Sequence, residues 1–136
     1  MGIIYQHIRL SNAAKPQLEE IDAKALVDSG AMDLCIPKLI ALQLKLETIE
    51  QRVVTLADGR KEAVDYVGPV TVEVFGRHAF TGAMVMGDTV LLGAIPMQAM
   101  DVLIDPRREQ LIPNPTNPNI PGALAMGFRT IEDDNA

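Results

Sequence analysis

The sequence of 136 residues predicts an all-β fold, a closed or orthogonal β-structure carrying two short helices. Three observations lead there. Apolar residues recur with a period near two along several short runs, turn-forming residues punctuate those runs, and helical spacing is confined to two short stretches that follow a proline. Apolar residues make up 48% of the chain, enough for one buried core, while aromatic residues reach 4% with no Trp. Small aliphatic side chains must therefore build that core.

Between Ile3 and Leu10, Ile4, Gln6, Ile8 and Leu10 alternate with Tyr5, His7 and Arg9, the pattern of a half-buried strand. Ser11, Asn12, Lys15 and Pro16 supply turn chemistry, and Ile21, Ala23, Ala25 and Val27 resume the alternation, so the two runs read as a hairpin. Leu34-Cys35-Ile36 is a short buried strand, and Pro37 opens a helix expected from Lys38 to Leu46. Val53 to Leu56 and Glu62 to Val64 flank Ala57-Asp58-Gly59-Arg60. Asp-Gly between strands favours a two-residue type I′ turn, which places a hairpin tip at Asp58 and Gly59. A second hairpin follows, with Val70, Val72 and Val74 before Phe75-Gly76-Arg77 and a strand from Ala79 to Met86. Leu91-Leu92 is another short strand, and Ile95 to Met100 a second helix around Pro96. Asp101 to Asp105 and Arg108 to Ile112 are expected to close the sheet as a last pair of strands. Beyond Pro113, prolines alternate with Asn114, Asn117 and Asn119. The expectation is a domain over residues 1–112 and a Pro/Asn-rich tail over 113–136, whose Ala123 to Met126 and Phe128 would dock on the domain or at a subunit interface.

Composition excludes several function classes. Twelve Lys plus Arg against eighteen Asp plus Glu give a formal charge of -6, which repels phosphate backbones, so nucleic acid is not an expected partner. No run approaches the roughly 18 apolar residues of a membrane span, and the first ten residues lack the basic-then-apolar order of a signal peptide. A single cysteine, Cys35, excludes intrachain disulfides and thiolate zinc cages and suits a reducing, cytoplasmic compartment. In its apolar run Cys35 reads as core, and Met84, Met86, Met97 and Met100 read as core or subunit contacts. His7 and His78 have no partner at metal-ligand spacing, and neither a Walker-type loop nor a dinucleotide fingerprint occurs. No metal or cofactor is expected.

The segment with the strongest chemical signal is Ala25-Leu26-Val27-Asp28-Ser29-Gly30-Ala31. It sets an acid directly after buried-strand residues, where a carboxylate is expensive unless it has a task. Asp-Ser-Gly is also ordinary turn chemistry, so its context matters. Further along come the hairpin around Asp58-Gly59 and then Leu91-Leu92-Gly93-Ala94 ahead of a helix. In that order and spacing the three landmarks resemble the retroviral-type (retropepsin-like) aspartic proteases, the single-domain homodimeric relatives of pepsin, over most of residues 3–112. Leu56 to Gly59 and Ile104 to Pro106 bring the resemblance closest to bacterial members of that group.

The resemblance implies a closed acid-protease barrel, assembled as a homodimer, that hydrolyses peptide bonds of an extended polypeptide. One Asp-Thr/Ser-Gly occurs per chain, so a chain carries half of a site, and Asp28 from two copies would share the attacking water. Ser29 would hydrogen-bond across the dimer beneath the two carboxyls, and Gly30 would let backbone approach them. Substrate contacts are expected from Ala31 and Asp33 beside the catalytic turn, and from Ala57, Asp58 and Gly59 at the tip of a covering flap. Leu92 and Gly93, on the strand passing under the loop, are also expected to contact substrate. In one place the sequence departs from the retroviral pattern: an acid after the catalytic turn and an Arg after the second-motif glycine are replaced together by Met32 and Ala94, so no lone buried charge is left. The competing expectation is a non-catalytic dimeric module of the same fold that holds a peptide or protein segment without cutting it.

Overall fold

The period-two runs become strands and the two stretches of helical spacing become helices, one after Pro37 and one around Pro96, in the computed structural model, which describes residues 2–125. The elements in chain order are β1 (Ile4–Asn12), β2 (Ile21–Val27), β3 (Leu34–Ile36), α1 (Lys38–Gln43), β4 (Glu47–Thr55) and β5 (Lys61–Val74). They continue with β6 (Arg77–Val85), β7 (Leu91–Leu92), α2 (Ala94–Met100), β8 (Val102–Asp105) and β9 (Gln110–Pro113). Ile4, Ile8 and Leu10 of β1 point inward with Ala23, Ala25 and Val27 of β2, while Tyr5, His7 and Arg9 face out. Strict alternation fixes this antiparallel register, because a one-residue slip would turn every apolar side chain to water.

Six strands close on themselves. Their order is β1-β2-β7-β3-β6-β5, and β5 returns to β1 through pairs running from Arg9↔Glu73 to Asn12↔Val70. Closure removes the free edges that an open sheet of these strands would expose. β2 with β7 and β3 with β6 run parallel, and the short strands β7 and β3 lie side by side, antiparallel, in the barrel wall between β2 and β6. Leu10, Leu34, Ile36, Val70, Val72, Leu92 and Met100 fill the interior and are completely shielded from solvent. The architecture is thus the all-β closed barrel with two short helices that the sequence led us to expect, and no described helix is long and apolar enough to cross a membrane.

Four local expectations need correction. α1 ends at Gln43 rather than Leu46, because Leu44 turns into the core as the C-cap and Lys45 takes a left-handed conformation at φ 51°. The buried Asn12 side chain then donates to the Leu44 carbonyl at 2.9 Å, tying that helix end to β1. The tip at Asp58-Gly59 is not a two-residue type I′ turn. Gly59 alone has positive φ, at 87°, and Leu56 and Arg60 close a three-residue loop around it. The type I′ geometry occurs instead at Phe75-Gly76, where both residues have positive φ between β5 and β6. Finally, β8 and β9 do not close the sheet. They pair only with each other, after Asp101 reverses the chain at φ 56°, and the barrel is closed by the single 14-residue strand β5, which absorbs two runs read as separate strands.

After β9 the chain folds back on its own domain. Asn114, Asn117 and Gly122 are all hydrogen-bonded to Asp101, so the tail as far as Gly122 is docked. Met126, Phe128 and the acidic stretch from Glu132 to Asp134 lie outside the described residues.

Candidate active site

β2 ends on the buried Val27 and delivers Asp28, half-buried, to the rim of the barrel. The loop after it is built by its own short-range bonds: Asp28 Oδ1 accepts from the Gly30 N–H at 2.9 Å, and the Asp28 carbonyl from the Ala31 N–H at 3.2 Å. A Cβ on Gly30 would stand 3.1 Å from that carboxylate oxygen, tighter than an ordinary contact, so glycine leaves the room the acid uses. Ser29 and Gly30 are exposed, and Ala31 and Asp33 are half-buried.

The second motif locks onto this loop. The Asp28 N–H donates to the Leu92 carbonyl at 3.0 Å, the Ala94 N–H to the Ala31 carbonyl at 2.8 Å, and the Ile95 N–H to the Met32 carbonyl at 2.8 Å. Gly93 sits between these bonds, and a Cβ there would collide with the backbone of Asp33 and lie 2.8 Å from both the Asp33 nitrogen and the Met32 carbonyl carbon. Two segments some sixty residues apart in sequence are therefore pressed backbone to backbone, at a position only glycine allows. The expectation of a substrate contact from Leu92 is corrected: its side chain is wholly inside the barrel, and it contributes to the site through its carbonyl.

Around Asp28 the surface is apolar. Met32, Ile95 and Leu103 are 62%, 43% and 43% exposed, large values for side chains of this kind. Ser29 borders an open hollow of about 380 Å³ shared with Ala94, Met97, Gln98, Leu103 and Pro106. Cys35 is buried behind the loop; burial, and secondly the negative charge of Asp33, push its thiol pKa up, which leaves it a core residue rather than a nucleophile.

The hairpin of β4 and β5 carries Ala57, Asp58 and Gly59 at its exposed tip. Asp58 accepts from the Arg60 backbone N–H at 3.0 Å and from Arg60 Nε at 2.7 Å, and these bonds hold its carboxyl below the usual carboxylate range. No hydrogen bond joins residues 57–59 to residues 28–33 among the described residues. The structure thus brings Asp28, Ser29, Gly30, Ala31, Asp33, Leu92 and Gly93 into one cluster and holds the tip residues on a separate, projecting element. Elsewhere, His78 stands 3.9 Å from Glu73 and stacks on Phe80.

Sequence reasoning missed one buried polar centre. Arg77, 5% exposed, donates to the carbonyls of Asp101 at 2.8 Å, Met100 at 3.4 Å and Asn117, and its charge lies 3.7 Å from the Asp101 carboxylate. That carboxylate also accepts from Asn114 Nδ2, Asn117 Nδ2 and the Gly122 N–H at 3.0, 2.7 and 2.7 Å. These bonds, the Asn114 side chain first, hold the Asp101 pKa below its ordinary value. The signal was present: Arg77 shares the inward face of β6 with Ala79, and an arginine on a buried face requires a partner.

No family model matches this chain, and no curated protein matches it. Among solved structures, it is similar to the solution structure of the simian foamy virus (mac) protease, with 21% identity over 68% of this chain and 91% of that chain and a TM-score of 0.44.

Proposed function

We propose that this chain is an aspartic endopeptidase, of the retropepsin-like group and nearest its bacterial members, that acts as a homodimer with one Asp28 from each copy. The observation that carries this reading is the interlock of the Asp28–Ala31 turn with Leu92, Gly93 and Ala94. The two motifs singled out in the sequence meet through three backbone hydrogen bonds at a glycine that admits no side chain. Such bracing holds a carboxylate in place without relying on its own side-chain packing. The exposed apolar surface of Met32, Ile95 and Leu103 beside it suits burial against a second copy.

The chemistry follows from two carboxyls in contact. Like charges at about 3 Å cannot both ionise easily, so the pair holds one proton between them and its activity is bell-shaped in pH. The ionised member takes a proton from a water whose oxygen attacks the peptide carbonyl, and the protonated member gives its proton to the carbonyl oxygen. Collapse of the tetrahedral intermediate breaks the C–N bond: the carboxyl that took the water's proton gives it to the departing nitrogen, the other carboxylate takes back a hydroxyl proton as the carbonyl re-forms, and no covalent enzyme intermediate forms. Ser29 Oγ, exposed in the single chain, is free to bond across the twofold axis. An extended polypeptide would lie between the paired Asp28 loops and the two hairpins, whose tips at Ala57, Asp58 and Gly59 donate main-chain hydrogen bonds.

The test is cleavage of a mixed peptide library between roughly pH 3 and 7 by wild type and Asp28→Asn. Asn keeps the oxygen that accepts from Gly30 but cannot supply the carboxylate. Cleavage lost in the variant and bell-shaped in the wild type is expected. Peptide binding without cleavage in both proteins would replace the peptidase with a non-catalytic binding module.

A further inference from the structure

β5 belongs to two bodies. Its residues Val70 to Val74 pair with β6 inside the barrel, Lys61 to Asp65 pair with β4 alone in the projecting hairpin, and Tyr66 and Val67 pair with both. At the junction both neighbouring registers slip: the β4 ladder shifts between Thr48 and Glu50, and the β6 ladder between Val67 and Val70. Ile49 is the extra residue on β4, and β5 itself carries one more residue than β6 between Val67 and Val70; two irregularities at adjacent levels bend the strand, which makes the junction an elbow. Beyond it, β4 is exposed at every position except the partly covered Arg52 and Val54, and on β5 only Val64 is buried, outside the main core cluster, so little apolar packing fixes the angle of the hairpin.

Two neighbouring strands meet the Tyr66 ring at this elbow. The Tyr66 ring of β5 lies directly on Gly82 of β6, where a Cβ would overlap ring atoms Cζ, Cε2 and Oη. On β4, the Arg52 guanidinium carbon stands 3.6 Å from the centroid of the same ring, and Arg52 Nη2 is 3.2 Å from Glu50 Oε1. Glycine-aromatic packing across a strand pair and a cation over the ring face each restrain the ring. Together they tie all three strands where the ladders are weakest.

We propose that Tyr66 is a positioning residue for the hairpin: its ring, clamped between Gly82 and Arg52, sets the angle at which β4 and β5 leave the barrel. Its consequence for catalysis rests on the reading of the hairpin as the element that covers substrate.

The test uses the full chain and four variants, with circular dichroism to establish that each is folded. In amide hydrogen exchange, Tyr66→Leu is expected to speed exchange from Val53 to Ala63 by about tenfold and to leave β1 and β2 unchanged, whereas Tyr66→Phe keeps the wild-type pattern. Gly82→Ala, which displaces the ring, should reproduce the acceleration, and in the Tyr66→Leu/Gly82→Ala double variant it should add nothing further. Hairpin exchange within about twofold of wild type in Tyr66→Leu, or a Gly82→Ala effect of the same size with and without the ring, overturns the clamp. On a cleaved peptide, Tyr66→Leu should raise KM about tenfold with a smaller change in kcat, and Tyr66→Phe should restore it. Faster exchange with unchanged KM and kcat overturns the positioning role. A wild type that cleaves nothing removes the peptidase reading, and hydrogen exchange still decides the clamp.

Discussion

Gly93→Ala isolates the contact on which the site depends. The added methyl would lie 2.8 Å from the Asp33 nitrogen and from the Met32 carbonyl carbon and would overlap the Asp33 carbonyl oxygen. All three are backbone atoms, so no side chain can rotate away. Relief requires the two segments to separate, which lengthens the bonds Asp28 N–H to Leu92, Ala94 N–H to Ala31 and Ile95 N–H to Met32. Overpacking costs about 1–3 kcal/mol, and each weakened backbone bond adds up to about 1 kcal/mol, so a loss of about 3 kcal/mol is expected. Urea unfolding followed by circular dichroism measures it as a fall in midpoint at constant slope. Cleavage should fall even under conditions where the variant remains folded, because the movement that relieves the methyl displaces Asp28. A stability loss below about 0.5 kcal/mol with cleavage retained would refute the claim that glycine is required at this crossing.

Gly59→Ala provides a contrast: its methyl meets open space, so the expected loss of about 1 kcal/mol comes from the φ of 87° alone, read in the same urea assay. Arg77→Leu leaves the carbonyls of Met100 and Asn117 without the Arg77 donor and the Asp101 carbonyl with only the Asn114 N–H, and should destabilise by about 2–4 kcal/mol, measured by thermal or urea unfolding. The Asp101 carboxyl is depressed in the folded chain, so its contribution is present above the unfolded value near about pH 4 and is lost as pH falls through the lower folded value. Acidification through that window should therefore lower the protection factors at Asn114 and Gly122, taken relative to the intrinsic exchange rate at each pH, and Asp101→Asn should make those factors independent of pH. Cys35, buried and with a raised thiol pKa, should react with iodoacetamide at pH 8 about a hundredfold more slowly than a free thiol and reach full reactivity in urea.

What the sequence made legible was local. Alternation along Ile4 to Leu10 and Ile21 to Val27 states the strand period and the inward face directly, and the pairing that followed has one register that buries both. The Asp28 turn and Gly93 were also readable, because an acid after a buried strand and a glycine before a helix are each costly without a structural reason. Long-range partnership was not readable. Nothing local says that β5 returns to β1, or that Arg77 will find Asp101 and the Asn-Pro segment 24 to 40 residues further on. Turn type failed for a different cause. Asp58-Gly59 is compatible with either a two- or a three-residue loop, and strand register selected the second, while the tight turn fell on Phe75-Gly76, where an aromatic residue accepts φ 55° because the strands on both sides demand it. The elbow at Tyr66 was hidden for the same reason, since Gly82 and Arg52 meet its ring from two other strands.

The central claim is that one site requires two copies of Asp28, and subunit mixing tests it most directly. Wild type and Asp28→Asn are dissociated, combined at varying ratios with total protein held constant, and reassociated, with sedimentation confirming equal dimer content. If both carboxyls are needed, every mixed dimer is inactive, and cleavage falls as the square of the wild-type fraction. A linear fall, or cleavage by the variant alone, would contradict the shared site.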